Sequence, residues 1–215
     1  MEVYYKDLQN LVEYRDGAQI LLNDQLETDL LAGRGQAYGA ELFVAKNRGR
    51  LTGWLSYTYS RTLRQVDGPS ASERINQGDW YPANFDKPHD MTIVGNYQFT
   101  RRIRLGFNFT YSTGRPVTLP EGTYQIDGQV LAHFSGRNQY RIRDYHRLDL
   151  SISVDGNLKK KKKWDSSWTF AIYNFYGRDN PYSVFFETFR GGSLSAYQLS
   201  PLGRPFPSVT YNFKF

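Results

Sequence analysis

Apolar and polar residues alternate with a period of two over much of the chain. From 102 to 112, Ile103, Leu105, Phe107, Phe109 and Tyr111 alternate with Arg102, Arg104, Gly106, Asn108, Thr110 and Ser112. Successive strand side chains point to opposite sides, so this pattern predicts a strand with one apolar and one polar face. Residues 145–154 repeat it: His146, Leu148, Leu150, Ile152 and Val154 stand against Tyr145, Arg147, Asp149, Ser151 and Ser153. Leu51, Gly53, Leu55, Tyr57 and Tyr59 alternate with Thr52, Trp54, Ser56, Thr58 and Ser60. At the C-terminus Val209, Tyr211, Phe213 and Phe215 alternate with Ser208, Thr210, Asn212 and Lys214. Weaker versions run through 34–46, 88–99 and 165–174, and a first strand falls within 2–14. The best helical candidate is Ala18–Leu31, which reads as a short helix or as a partly ordered loop.

The connections are of two kinds. Residues 46–50, 100–102 and 157–163 are short and basic, as hairpin turns are. Residues 15–33, 65–87, 117–141 and 177–204 are long and hold most of the Pro, Asn, Asp and Gly. Short and long links alternate, so an up-and-down order of about eight strands gathers the short turns at one rim and the long loops at the other. That is the layout of an outer-membrane barrel, with short periplasmic turns and long extracellular loops. Strands of about 11–15 residues exceed the usual soluble length and suffice to cross a bilayer. The spacing of the short turns also invites a propeller reading. Each unit, however, holds two long strands and no repeated blade signature.

Composition supports the two-faced reading. The polar faces carry Ser, Thr, Asn, Gly, Arg and Asp, while Tyr, Phe and Trp crowd the apolar ones. Tyr97, Tyr111, Tyr145, Trp164 and Trp168 lie near strand ends, where an aromatic girdle would sit. A mean hydropathy of −0.62 and the lack of a long apolar run exclude a membrane-spanning helix, not a barrel. The absence of Cys excludes disulfides, thiolate metal sites and a Cys nucleophile. Met1–Asp7 has no basic segment followed by an apolar one, so it does not read as a secretory signal. The net charge of +6 owes much to five lysines, Lys159–Lys163, in one turn. Beside Trp164 these could suggest a nucleic-acid patch, but a solvated turn near phospholipid head groups suits the layout better. The last strand, ending on Phe215, would be a hazardous apolar edge in a soluble protein.

Several segments resemble the C-terminal barrel of TonB-dependent outer-membrane receptors of the Bacteroidetes type. The resemblance rests on Asn84–Asp90, the strand to Phe99, and Leu105–Pro116, which contains Phe107-Asn108-Phe109-Thr110-Tyr111-Ser112-Thr113-Gly114-Arg115. Gly33–Leu42 looks like the family's Gly-rich strand with an inward Glu, here Glu41. Tyr140–Ser151 and Tyr173–Pro181 match its late strands. The resemblance implies that residues 1–215 are the C-terminal part of a larger barrel, with plug domain and signal peptide absent from this chain. It further implies residence in the bacterial outer membrane and TonB-energised uptake of a scarce nutrient of the siderophore, cobalamin or glycan class. Val209, Tyr211, Phe213 and Phe215 resemble the C-terminal signal read by the barrel insertion machinery. The expected partners are lipid, that machinery, the nutrient, and TonB only through the plug; neither nucleic acid nor a cofactor is expected. An autonomous small barrel, acting structurally or as an adhesin, and a soluble ligand-binding barrel are the alternatives.

No enzymatic site emerges. Asp86, His89 and Asp90 could form a carboxylate–imidazole site, or else Asp86 and Pro88 organise a loop-to-strand junction. His133 stands in a loop and His146 on an apolar face. No Gly-x-Ser-x-Gly elbow, phosphate loop or dinucleotide fingerprint occurs. Trp80, Tyr81, Phe85, Arg115, Tyr124, His133, Arg137 and Tyr140 are loop residues of ligand-contacting types, but the pattern singles out none of them. Catalytic and metal residues are therefore expected to be none, and the ligand contacts are open.

Overall fold

The computed structural model describes residues 1–18, 23–127, 129–156, 165–188 and 194–214. In chain order its strands are β1 (Glu2–Tyr14), β2 (Leu30–Lys46), β3 (Leu51–Gln65), β4 (Tyr81–Pro82) and β5 (His89–Gln98). They continue with β6 (Ile103–Ser112), β7 (Pro116–Val117), β8 (Pro120–Ile126), β9 (Gln129–Phe134) and β10 (Tyr140–Arg141). The last five are β11 (Tyr145–Asp155), β12 (Asp165–Tyr173), β13 (Ser183–Thr188), β14 (Leu194–Leu199) and β15 (Phe206–Lys214).

The principal sheet is an antiparallel meander, β1-β2-β3-β5-β6-β11-β12-β15, with β4 added to β3. Its eight long strands are the expected eight, running from 9 residues in β12 and β15 to 17 in β2. The meander places every long connection at one end. The long links are not bare loops, however. They fold back as the hairpins β8–β9 and β13–β14 and the small pair β7–β10. Of the helical candidate, residues 19–22 lie outside the described residues. Leu26–Asp29 forms one short 3-10 turn, and Leu30 and Leu31 already belong to β2. Residues 157–164, with Lys159–Lys163 and Trp164, and Phe215 also lie outside the described residues.

Register fixes the faces. Leu51, Tyr97, Leu105, Ile152, Phe170 and Val209 line up across six strands. Thr58, Asp90, Ser112 and Tyr145 form such a row on the other side, with Glu41 beside Thr58. Tyr145 thus belongs to the polar face and not to an aromatic girdle. Tyr97 and Trp168 lie on the apolar face toward the short-turn end, where Trp168 packs on Tyr211 with ring centroids 4.6 Å apart. Tyr111 lies on that face at the loop end.

Nothing in the described chain forms a second layer over the apolar face. Leu105, Phe107, Ile152, Phe170 and Val209 are all exposed. The accessible surface is 15386 Å², against roughly 10,200 Å² for a compact monomer of this mass. The buried apolar cluster, Leu31, Val66, Ile75 and Tyr81, lies at the loop end instead. Among the described residues β1 and β15 are unpaired edges, and the sheet does not close on itself.

Candidate functional site

Polar interactions tie the loop end together. Asp86 is buried and accepts the Thr62 amide at 2.6 Å, and it ion-pairs with Arg61 at 3.3 Å and with Arg141. Arg141 also donates to the Asp86 carbonyl at 2.7 Å and to the Gly114 carbonyl at 2.9 Å. Asp144 accepts the Tyr111 hydroxyl at 2.6 Å and the Gly114 amide at 2.9 Å. These two donors hold the Asp144 carboxyl below its ordinary value. Gly114 is needed here, because a β-carbon would run into the Ile142 carbonyl.

Further along, Asn174 is buried. Its amide donates to the carbonyls of Arg178 and Leu202 at 2.9 and 2.7 Å. Asn180 exchanges two hydrogen bonds with the backbone of His146, at 3.1 and 2.9 Å. Arg137 binds Glu13, Asp16 and the Tyr14 carbonyl, so the link after β9 is tied to the end of β1.

These anchors frame a cavity of about 490 Å³ at the loop end of the polar face. Lys87, Arg115, Arg143 and Arg147 line it, against one carboxylate, Asp90. Arg147 is held by Asp149 at 2.8 Å. Lys87, Arg115 and Arg143 form no ion pair and no side-chain hydrogen bond among the described residues. Tyr145 and Ser112 come from the strands, and the Ser112 hydroxyl is buried without a partner among the described residues. Exposed Tyr182 and Leu202 make an apolar rim. The volume falls within the usual ligand-pocket range of roughly 300–1,000 Å³.

The chain is similar to a receptor. It is 28% identical over 151 residues to the ferric-pyoverdine M114 receptor PbuA of Pseudomonas sp. (strain M114). The match takes in 68% of this chain but 17% of that protein, so the chain spans a small part of the length of its curated relative. No family model and no solved structure matches.

The candidates from the sequence separate in space. His89 and Asp90 point to opposite faces, with His89 against the Tyr57 hydroxyl at 2.8 Å, and Asp86 turns toward its arginines. The three residues do not converge, and Asp86 organises the junction. Tyr81 is core, and burial pushes its phenol up. Arg137 is consumed by its ion pairs. Trp80 stacks under Arg34, and Phe85 under Arg64. Tyr140 donates to Glu121 at 2.8 Å. Tyr124 and His133 sit on the β8–β9 hairpin, and His146 meets the Tyr176 hydroxyl at 2.6 Å. Arg115 alone of the named loop residues lines the cavity. Lys87 and Arg143 also line it, and the sequence pattern does not single them out as ligand contacts. Their sequence signal was adjacency to Asp86 and Asp144, two carboxylates whose long-range partners only the fold reveals.

Proposed function

We propose that this chain is the C-terminal barrel part of an outer-membrane receptor for TonB-energised uptake of a scarce nutrient. The observation that carries this reading is the two-faced sheet. Its apolar face is uncovered along eight long strands, and its polar face ends in a cavity under the long connections. A bilayer would take up the apolar face, because every strand supplies about the 9–11 residues that a crossing needs. The polar face would line an aqueous lumen. The likeness to a protein named as a ferric-pyoverdine receptor favours a ferric siderophore over cobalamin or a glycan.

On this reading the protein is not an enzyme: it binds and passes its ligand without making or breaking a bond. TonB acts through a plug encoded elsewhere in the receptor. Val209, Tyr211, Phe213 and Phe215 serve the insertion machinery. The test is to blot fractionated source cells with an antibody to this segment, then delete the gene and follow radioiron–siderophore uptake with and without a protonophore. Outer-membrane residence with loss of energised uptake is the expected result. A soluble product overturns the reading. A membrane product of about 25 kDa with unchanged uptake replaces it by the small structural barrel.

A further inference from the structure

We infer that the cavity under the long connections is an anion site, and that the ligand it takes carries carboxylate or phosphate oxygens. The inference rests on the receptor reading, because only there does this face border water that a solute can enter.

Three observations carry it. First, the charge is one-sided: Lys87, Arg115, Arg143 and Arg147 face one carboxylate, Asp90. Arg147 is held by Asp149, but Lys87, Arg115 and Arg143 have no ion pair among the described residues, and cations gathered in one concavity repel each other and lower the cost of bringing in an anion. Second, the cationic heads are free while their backbones are fixed. Lys87 follows buried Asp86, whose carboxylate holds Thr62, Arg61 and Arg141. Arg115 follows Gly114, clamped between Asp144 and Arg141. Arg143 stands between Arg141 and Asp144 themselves. The backbone cost of placing the charges is therefore met by contacts that do not use the charges. Third, the Ser112 hydroxyl, in the same wall, is buried without a hydrogen-bond partner among the described residues. A buried hydroxyl left unpaired is costly, and an acceptor oxygen in the cavity would relieve it.

Guanidinium groups grip planar carboxylates and phosphates through paired N–H bonds, so two arginines and a lysine suit a ligand with more than one such group. Tyr182 and Leu202 would cover its apolar part at the rim.

The experiment uses the full receptor, purified in detergent from outer membranes and titrated calorimetrically. Citrate probes carboxylate recognition, pyrophosphate probes phosphate recognition, and maltotriose is the uncharged control. The Arg115→Gln/Arg143→Gln double variant tests the site. Neither side chain has an ion pair or side-chain hydrogen bond among the described residues, so the described contacts of the loop end do not depend on them. Arg48→Gln, in the β2–β3 turn, removes a charge at the far end of the sheet. The expected result is that citrate or pyrophosphate binds, that the double variant weakens this at least about tenfold, and that Arg48→Gln does not. The stronger of the two anions names the source. Binding of neither anion, equal binding by the double variant, or equal binding of maltotriose overturns the inference. If the receptor resides in the outer membrane and the anions still fail, the inference alone falls. If it does not reside there, the receptor reading and the inference fall together.

Discussion

Replacing Asp86 by Ala removes the group on which the loop end converges. The carboxylate is fully buried, whereas the Arg61 and Arg141 side chains keep 27% and 28% of their exposure. Taking one partner from a fully buried ion pair costs about 3–5 kcal/mol. Here the two arginines can turn partly toward water, which lowers that figure. The Thr62 amide, 2.6 Å from the carboxylate, loses its acceptor as well, and such a bond to a charged group contributes about 1.5–3 kcal/mol. The two effects share one group and do not add in full, so the expected loss is about 2–4 kcal/mol. It should fall on the loop end and not on the whole sheet, because Asp86 meets the sheet at Thr62, in the loop end of β3. Hydrogen exchange of the detergent-solubilised receptor reads this directly. Protection should drop around residues 83–88 and 113–117 and persist across β5 and β6. Asp86→Asn keeps an acceptor for Thr62 and should cost about half as much. A loss below about 0.5 kcal/mol in Asp86→Ala, the scale of an ordinary surface change, would refute the claim that Asp86 holds these segments.

Three further outcomes are expected. Asp144 sits below its ordinary value of 3.8, so its contribution to docking Gly114 is complete above that pH and is lost as pH falls through and below it. Protection of the Gly114 amide, corrected for the intrinsic exchange rate, should drop in that acid range in the wild type. In Asp144→Asn it should show no such step, and an identical profile in both would exclude the carboxylate. Phe107 lies over Gly95, where a β-carbon would meet its ring. Gly95→Val should therefore displace the ring and cost about 1–3 kcal/mol in a denaturant titration, while Gly122→Val, with open space around it, should cost far less; equal costs would discount the Phe107 contact. Deleting Phe215 from the full receptor should reduce the amount assembled in the outer membrane several-fold, and unchanged assembly would remove the C-terminal strand's proposed role.

The strands were legible because a two-faced sheet writes its period directly into the sequence. Ile103 to Ser112 and Tyr145 to Val154 carry that signal without interruption, and the structure pairs them residue for residue. The long links carry shorter signals of their own. Asp127-Gly128 between alternating residues is a strong hairpin cue, and β8–β9 forms there, with Asp127 at φ 49. The cavity was harder to see. Arg115 and Arg137 are the same residue type in the same kind of loop, yet one faces a cavity and the other ties down β1. Only partners distant in sequence separate them: Arg137 finds Glu13 and Asp16, and Arg115 finds none among the described residues. Tyr81 and Trp80 differ likewise, one buried in the core and its neighbour half-exposed, because β4 pairs with β3.

The strand order has a consequence for how the sheet is put together. Each inner long strand is bonded to the long strand before it in the chain and to the one after it, and the edge strands β1 and β15 to one each. Among the described residues the principal sheet has no crossover, and pairing in chain order keeps contact order below that of a sheet with crossovers, which favours faster folding. Assembly can advance hairpin by hairpin, and each stage leaves a single growing edge. The slow steps then fall at the long links, where closing a longer loop costs entropy that rises only with the logarithm of its length. The hairpins β8–β9 and β13–β14 shorten those loops from within. The segments that build the cavity's surroundings would thereby also set the pace at which the wall beneath them is laid down.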